Sequence, residues 1–237
     1  MNLIVEGFTK AFSLILHLDA ELFGIISLSL KISCLALLIA TLFGIPLGAV
    51  LGLKRMTAKG AVISLMNTLM GLPPVVVGLF LYLMLSRSGP LGFLGLLYTP
   101  GAMVIAQTIL AFPIVTALTY SAVESVDPII RQASRSLGAS PLQVTRMVIA
   151  EARYGILSGI IAAFGRLMAE VGAILIVGGN IAGLTRVMTT AIALETDKGN
   201  FELALALGVI LLLLSLIVNI VFHAVQRKGT VHTGTWA

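Results

Sequence analysis

Four long runs without a charged residue constrain this chain more than any other feature. Each is long enough for at least one helix across the roughly 30 Å of hydrocarbon in a bilayer, which takes about 20 residues. The runs cover residues 32–53, 60–86, 88–123 and 203–226. Only 11% of the 237 residues are charged and 58% are hydrophobic, too apolar for the surface of a water-soluble domain. The sequence therefore predicts an all-α integral membrane protein.

The number of predicted spans is about five. A fifth apolar segment covers residues 154–179, although Arg166 and Glu170 interrupt it. The run 88–123 is too long for one span, and prolines and glycines break its first third. We therefore place an outer loop or a re-entrant turn at 87–100 and begin that span near Gly101.

The two ends of the chain are predicted to lie outside the spans. Residues 1–22 combine apolar positions at helical spacing with several charges, which suits a helix lying in the membrane interface. A signal peptide is the alternative, but the basic start and small-residue cleavage site that it needs are missing. The predicted organisation is an interfacial helix at 1–22, a transmembrane domain at 23–226 and a cytoplasmic tail at 227–237.

The distribution of basic residues predicts the orientation. If the first span runs from outside to inside, nine of the fifteen Lys and Arg residues lie in cytoplasmic segments. These nine are Lys54, Arg55, Lys59, Arg131, Arg135, Arg146, Arg153, Arg227 and Lys228. The N-terminus is then outside, and the C-terminus and the loop 127–153 are cytoplasmic. The net charge of +5 follows from this rule, and no soluble face is left for nucleic-acid binding.

The reactive side chains do not form a recognisable catalytic or metal site. The single cysteine, Cys34, lies in the first span and cannot form an intrachain disulfide, and the three histidines are scattered. The sequence has no Ser-His-Asp arrangement and no phosphate-binding Walker motif. We therefore expect no catalytic residue, no metal and no cofactor, and a membrane enzyme is the least favoured class. Transport against a gradient would need energy from a partner or an ion gradient.

The polar loop 127–153 carries the most informative motif. It contains Gln132-Ala133-Ser134, followed after three residues by Gly138. The small residues keep a first helix slim, and the glycine permits a sharp turn. Ser140 and Pro141 then provide an N-cap and a first-turn proline for a second helix. A loop that only connects two spans is the alternative interpretation.

This motif is similar to the Glu-Ala-Ala-xxx-Gly signature of ABC-importer permeases. Here Gln132 replaces the glutamate and Ser134 the second alanine, while Ala150 and Glu151 replace the closing Leu-Pro. In that family the loop forms a short helix that docks into the cytoplasmic ATPase. The residues implied in this ATPase coupling are Gln132, Ala133, Ser134, Gly138, Ala139, Ser140 and Pro141.

The resemblance extends over about residues 22–226 and is strongest to the oxyanion branch of these permeases, in particular the tungstate permeases. The segments that carry it are 67–78, 86–92, 165–173, 178–181 and 185–192. It implies a type I ABC-importer permease fold in the cytoplasmic (inner) membrane and a homodimer in contact with lipid. It also implies two ABC ATPase subunits that use ATP and Mg, and an extracytoplasmic tungstate-binding protein. Molybdate or sulfate is the alternative cargo, and a gradient-driven anion carrier is the less favoured alternative.

Two groups of residues are candidates for the translocation path. The first is a proline segment whose two prolines should kink a span and free backbone carbonyls. Its predicted gate residues are Pro73, Pro74, Val75, Val76 and Gly78. Gly71 and Gly78 would let a second copy approach closely. The alternative is a kink that only serves packing.

The second group is Arg166 and Glu170. They are four residues apart, so a mutual ion pair on one helix face is permitted. Charges inside a span should pair or face a water-filled path. A purely structural pair is equally compatible with the sequence.

A weaker candidate is a substrate entrance formed by Thr185, Arg186, Thr189 and Thr190. Hydroxyl and amide donors with few charges suit a dianion such as tungstate. An ordinary polar loop would contain similar residues.

Overall fold

A computed structural model of the chain describes residues 5–6, 8–9, 12–13, 20–54 and 57–230. The few residues described before Ala20 are helical. The predicted interfacial helix at 1–22 lies mostly outside the described residues. The last seven residues of the predicted tail, 231–237, also lie outside them.

The described part of the chain is built from α-helices joined by turns and loops. The helices are α1 (Ala20–Leu53), α2 (Lys59–Met70), α3 (Pro74–Leu85), α4 (Pro100–Glu124), α5 (Pro128–Ser136), α6 (Pro141–Met168), α7 (Gly172–Gly178), α8 (Met188–Asp197) and α9 (Phe201–Thr230). A 3₁₀ turn, Gly92–Leu94, lies between α3 and α4.

Helix α4 forms the centre of the molecule, and α1 packs along it. Three glycines of α1, spaced four residues apart, lie so close to α4 that a Cβ atom on any of them would come within about 3.0 Å of it. A Cβ on Gly48 would lie 2.5 Å from the Thr116 carbonyl oxygen, and one on Gly52 would lie 2.6 Å from Val123. Gly44 continues the same stripe. Small residues at such spacing allow close packing of transmembrane helices, so α1 and α4 form a tight pair.

Within the residues that the structure describes, four helices are long and apolar enough to cross a membrane, and the α2–α3 pair would be a fifth span if it is counted as one. The prediction of about five spans is thus confirmed. The four helical spans are Glu21–Leu53, Pro100–Glu124, Pro141–Met168 and Phe201–Ile220. The span predicted to begin near Gly101 begins at Pro100, with Thr99 accepting a hydrogen bond as its N-cap.

Several helix boundaries differ from the sequence-based ones. Helix α1 begins twelve residues before position 32, because the two charges between Ala20 and Ile32 do not interrupt its hydrogen bonding. Helix α6 continues without a break from the polar loop into the membrane span, so position 154 is not a helix start. This continuity gives any force on the loop a direct path into the span.

Candidate functional site

The loop 127–153 folds as a helical hairpin made of α5 and the first turns of α6. The Asp127 side chain accepts a hydrogen bond from the Ile129 N–H at 2.8 Å and so caps α5. Ser140 and Gln143 form a reciprocal capping box at the start of α6. Both helices begin with a proline in the first turn, where the missing N–H costs nothing. The local geometry expected from Ser140 and Pro141 is therefore present.

Gly138 makes the turn of this hairpin. Its φ of 81° lies in the left-handed region that glycine adopts readily. The Gly138 N–H donates to the Arg135 carbonyl and the Ala139 N–H to the Ser134 carbonyl, both at 3.0 Å. This bonding pattern is the Schellman motif, which satisfies carbonyls at the end of α5. The requirement for glycine at position 138 thus comes from the backbone and not from crowding, since no atom lies within 4 Å of a Cβ placed there.

The predicted coupling residues divide into an exposed and a buried set. Gln132 and Ala133 are exposed on α5, whereas Ser134 is buried, donates to the Ile130 carbonyl and contacts the Met147 sulfur. Ser134 therefore joins α5 to α6. The exposed face of the hairpin also carries large apolar side chains, of which Leu137 is 87% and Leu142 is 60% exposed. The hairpin thus presents large apolar side chains beside polar ones on its exposed face.

Arg131 ties the hairpin to two spans, a role that the sequence motif did not reveal. Its guanidinium donates from Nη1 to the Gly52 carbonyl at 3.3 Å and from Nη2 to the Val123 carbonyl at 2.8 Å. These carbonyls belong to the last turns of α1 and α4, where backbone acceptors have no helical partner and the helix dipole favours a cation. The side chain thus connects α5 to the ends of the central helix pair.

The proline segment breaks the predicted span into two helices instead of only kinking it. Helices α2 and α3 meet at 96° across the break at Gly71-Leu72-Pro73. Pro73 is extended and Pro74 is the first residue of α3, so the second predicted span is broken at this point. Val75 and Val76 are exposed on α3, beside the break.

The structure corrects the role expected of Gly78. A Cβ on Gly78 would lie 2.8 Å from Ala173 Cα, so this buried glycine packs against α7 of the same chain. It therefore does not provide a close approach for a second copy. A Cβ on Gly172 would likewise meet the Val75 side chain at 2.7 Å. The start of α3 and the start of α7 are held together by this contact between small residues.

Glu170 lies at the same junction but not on the face of α6 that the spacing predicted. Helix α6 ends at Met168, and the buried Glu170 carboxylate accepts a hydrogen bond from the Ala173 N–H at 3.0 Å. A carboxylate at a helix N-terminus is favoured by the free N–H groups and by the dipole. Arg166 is exposed, and in the described part of the chain it forms no ion pair with Glu170. The expected ion pair between them is absent because the helix ends between the two residues.

The predicted entrance residues are mostly committed to local hydrogen bonds. Thr185 Oγ1 donates to the Gly178 carbonyl at 2.6 Å and accepts from the Ile181 N–H. Thr189 Oγ1 donates to the Glu170 carbonyl at 2.8 Å, which joins α8 to the break before α7. Thr190 is fully buried and caps the start of α8. The threonine hydroxyls therefore hold the loop in place. Arg186 is the residue of this group whose side chain keeps an N–H donor without a hydrogen-bond partner.

The charges around this loop lie at the end of α1 that is remote from the hairpin. Arg186 Nη1 is 3.6 Å from Glu21 Oε1. On α8, a hydrogen bond from Lys198 holds the pKa of the Glu195 carboxyl below its usual value, against the effect of burial and with help from Asn200 and the Arg186 charge. Nowhere in the described ranges do three His, Cys, Asp or Glu side chains cluster as metal ligands would.

The chain has relatives along nearly its whole length. Residues 44–230 match the family described as binding-protein-dependent transport system inner membrane component. The tungstate uptake system permease protein TupB of Peptoclostridium acidaminophilum is 41% identical over 228 residues, which are 96% of this chain and 100% of that protein. A probable anion ABC transporter permease protein of Haloferax volcanii is 45% identical over 203 residues, covering 84% of this chain and 88% of that protein.

A solved structure shares the fold. The MetNI methionine ABC transporter, in inward facing conformations, superimposes with a TM-score of 0.72. The superposition covers 89% of this chain and 96% of that chain at 18% sequence identity. At this identity the likeness is one of fold.

Proposed function

This chain belongs to the family of binding-protein-dependent transport system inner membrane components, and from that premise we propose that it is the permease subunit of an ATP-driven importer of tungstate. It is a multi-pass membrane protein with the type I importer permease fold. Its task is transport and not catalysis.

The observation that carries the proposal is the α5–α6 hairpin. It is capped at both helix starts, turned by Gly138, and connected by Arg131 to the ends of α1 and α4. Its exposed apolar residues suit insertion into a cleft of a partner. A carrier driven by an ion gradient would not need such a surface. We therefore infer an external ATPase that binds ATP and Mg, while this chain binds no cofactor.

Tungstate is favoured as the cargo by the tungstate permease relative, which is matched over its whole length by 96% of this chain. Molybdate is the main alternative, because both are tetrahedral dianions of nearly the same size. Sulfate is a third candidate with the same shape and charge. The choice among the three anions rests on the overall similarity to the tungstate relative.

We infer that two copies enclose the path. Five spans with no internal repeat do not surround a channel by themselves. The exposed Arg166 near the end of α6 would be costly against lipid, so it suits a water-filled path between copies. Val75 and Val76, at the bend after Pro73, suit the gate. Glu170 stabilises this region by accepting a hydrogen bond at the start of α7, where Gly172 packs against Val75. The proposal thus keeps Arg166, Val75 and Val76 in the path or gate and gives Glu170 a supporting role.

The proposed complex contains two copies of this chain, two cytoplasmic ATPases and an extracytoplasmic binding protein, in the inner membrane. The N-terminus would be outside and the hairpin inside. Closure of the ATPase dimer on ATP would move the two hairpins and turn the spans outward. The binding protein would then release its anion into the path, and hydrolysis would return the spans to the inward-facing state.

Competitive uptake tests the proposal. Cells lacking this gene would be complemented with the native chain or with Gly138→Val, and uptake of tungstate would be measured with excess molybdate or sulfate. We expect uptake only with the native chain, and resistance to both competitors. If excess molybdate abolishes tungstate uptake, the transporter does not select tungstate over molybdate. If the native chain restores uptake of none of the three, the oxyanion assignment is wrong.

A further inference from the structure

A cleft of about 360 Å³ lies between α1 and the loop that precedes α8. On the α1 side it is lined by a stripe at helical spacing that includes Glu21, Gly24 and Lys31, and on the other side by Gly183 and Arg186. Lys31 is 21 residues from Gly52 along α1, or about 32 Å at the helical rise of 1.5 Å per residue. The cleft therefore opens near the opposite end of the molecule from the hairpin.

The Arg186 guanidinium has donors that nothing else in the described part of the chain uses. Its side chain is only 20% exposed, and its buried Nε has no hydrogen-bond partner. The contact with Glu21 at 3.6 Å is an ion pair longer than a hydrogen bond. A partly buried guanidinium with unused N–H groups is unfavourable unless an acceptor joins it. Lys31 adds a second cation to the same cleft.

The backbone holds Arg186 in position and leaves space in front of it. The Arg186 N–H donates to the Ile181 carbonyl at 3.0 Å, and the preceding Thr185 is fixed by its two hydroxyl bonds. A Cβ atom added to Gly24 or to Gly183 would meet no other atom within 4 Å, so both walls of the cleft stay open at these points. Site preorganisation of this kind reduces the cost of binding.

We propose that this cleft binds a tetrahedral oxyanion between Lys31 and Arg186. The site deepens the proposed function, on which its assignment as a substrate site rests. The bidentate geometry of a guanidinium matches two oxygens of such an anion, and the ammonium group supplies a point charge. Glu21 and Glu195 partly offset the charge of Arg186, which weakens the binding of an anion and favours its release. The same chemistry would accept either tungstate or the phosphate of an anionic lipid headgroup.

Charge variants with opposite expected effects test the site in tungstate uptake. Lys31→Gln and Arg186→Gln each remove one cation, and we expect the KM to rise about tenfold with little change in the maximal rate. Glu21→Gln removes the opposing carboxylate, and we expect the KM to fall. A folding defect would not lower the KM, so this variant keeps the test decisive. Arg87→Gln, an exposed arginine that does not line the cleft, is the matched control.

Binding to the purified full chain identifies the source of the anion. The chain would be placed in nanodiscs of phosphatidylcholine alone or with phosphatidylglycerol, and bound tungstate and retained lipid would be measured by native mass spectrometry. Tungstate binding lost in Lys31→Gln and Arg186→Gln would identify a substrate site. Phosphatidylglycerol retention lost in the same variants would identify a headgroup site.

The outcomes separate this site from the proposed function. If both variants match Arg87→Gln in uptake, tungstate binding and lipid retention, the cleft binds no oxyanion and the inference is overturned. Alternatively, the native chain restores no oxyanion uptake while Lys31→Gln and Arg186→Gln still bind less tungstate or lipid than the native chain does. In that case the site is supported and the proposed function is wrong.

Discussion

Replacing Gly138 tests whether the proposed binding of an ATPase depends on the shape of the hairpin more than on its composition. With a φ of 81°, position 138 lies in a region that a β-branched residue strongly disfavours. The Cβ of Gly138→Val would meet no neighbour within 4 Å, so the cost comes from the backbone alone. The expected penalty is about 2 kcal/mol, at the upper end of the usual range for L-residues in this conformation.

This penalty lowers either the affinity for the ATPase or the stability of the folded chain. If the hairpin relaxes into another shape, the docked shape must be restored on binding, and the ATPase affinity falls about thirtyfold, at 1.4 kcal/mol per factor of ten. If the Schellman hydrogen bonds to the Arg135 and Ser134 carbonyls hold the turn, the same 2 kcal/mol appears as lost stability of the folded chain. Both quantities must therefore be measured.

The assay is equilibrium binding of the ATPase to the permease in nanodiscs, together with thermal unfolding of the free permease. Gly138→Asn is the matched variant, because asparagine tolerates the left-handed conformation and should keep most of the affinity. Gly165→Ala, at an exposed and uncrowded glycine within α6, controls for glycine loss in general. If Gly138→Val changes neither affinity nor stability, or if the asparagine variant is equally impaired, the argument from backbone conformation is refuted.

Two further predictions concern the connections within the chain. Arg131→Met should leave the ATPase bound but make its hydrolysis independent of the loaded binding protein, because α5 loses both contacts to the ends of α1 and α4. Arg131→Lys should rescue this in part, and full coupling in Arg131→Met would contradict the assigned role. Glu170→Ala should lower the stability of the chain by about 1 kcal/mol through the lost cap on α7, whereas Glu170→Gln, which keeps an acceptor oxygen for the Ala173 N–H, should lose less. Equal melting temperatures for native and Glu170→Ala protein would exclude the capping role.

The parts of the site that the sequence predicted well are those determined within a few residues. Ser140, Pro141 and Gly138 act through caps and a turn whose partners lie three to five positions away. Such contacts follow from residue type and spacing. The hairpin was therefore predictable before its surroundings were known.

The predictions that failed concern features that depend on where helices end and on contacts between residues far apart in the sequence. The ion pair between Arg166 and Glu170 assumed a continuous helix, but the next helix offered the Glu170 carboxylate free N–H groups, and α6 ends at Met168. The spacing from Glu170 to Ala173 was the available signal for this cap. Arg131 and Gly52 are 79 residues apart, and their contact has no local pattern. The prolines gave the position of the bend between α2 and α3 but not its angle of 96°.

Helix α1 links the two ends of the proposed mechanism. It carries Lys31 in the cleft and the Gly52 carbonyl that Arg131 binds at the hairpin. Pro46 lies between them and removes one backbone hydrogen bond, so α1 alone would bend there. Gly44 and Gly48 flank this proline and press α1 directly against α4, which braces the weak point. A force applied at the hairpin should therefore tilt α1 and α4 together and change the separation of Lys31 and Arg186, which would couple the state of the ATPase to the affinity of the cleft for its anion.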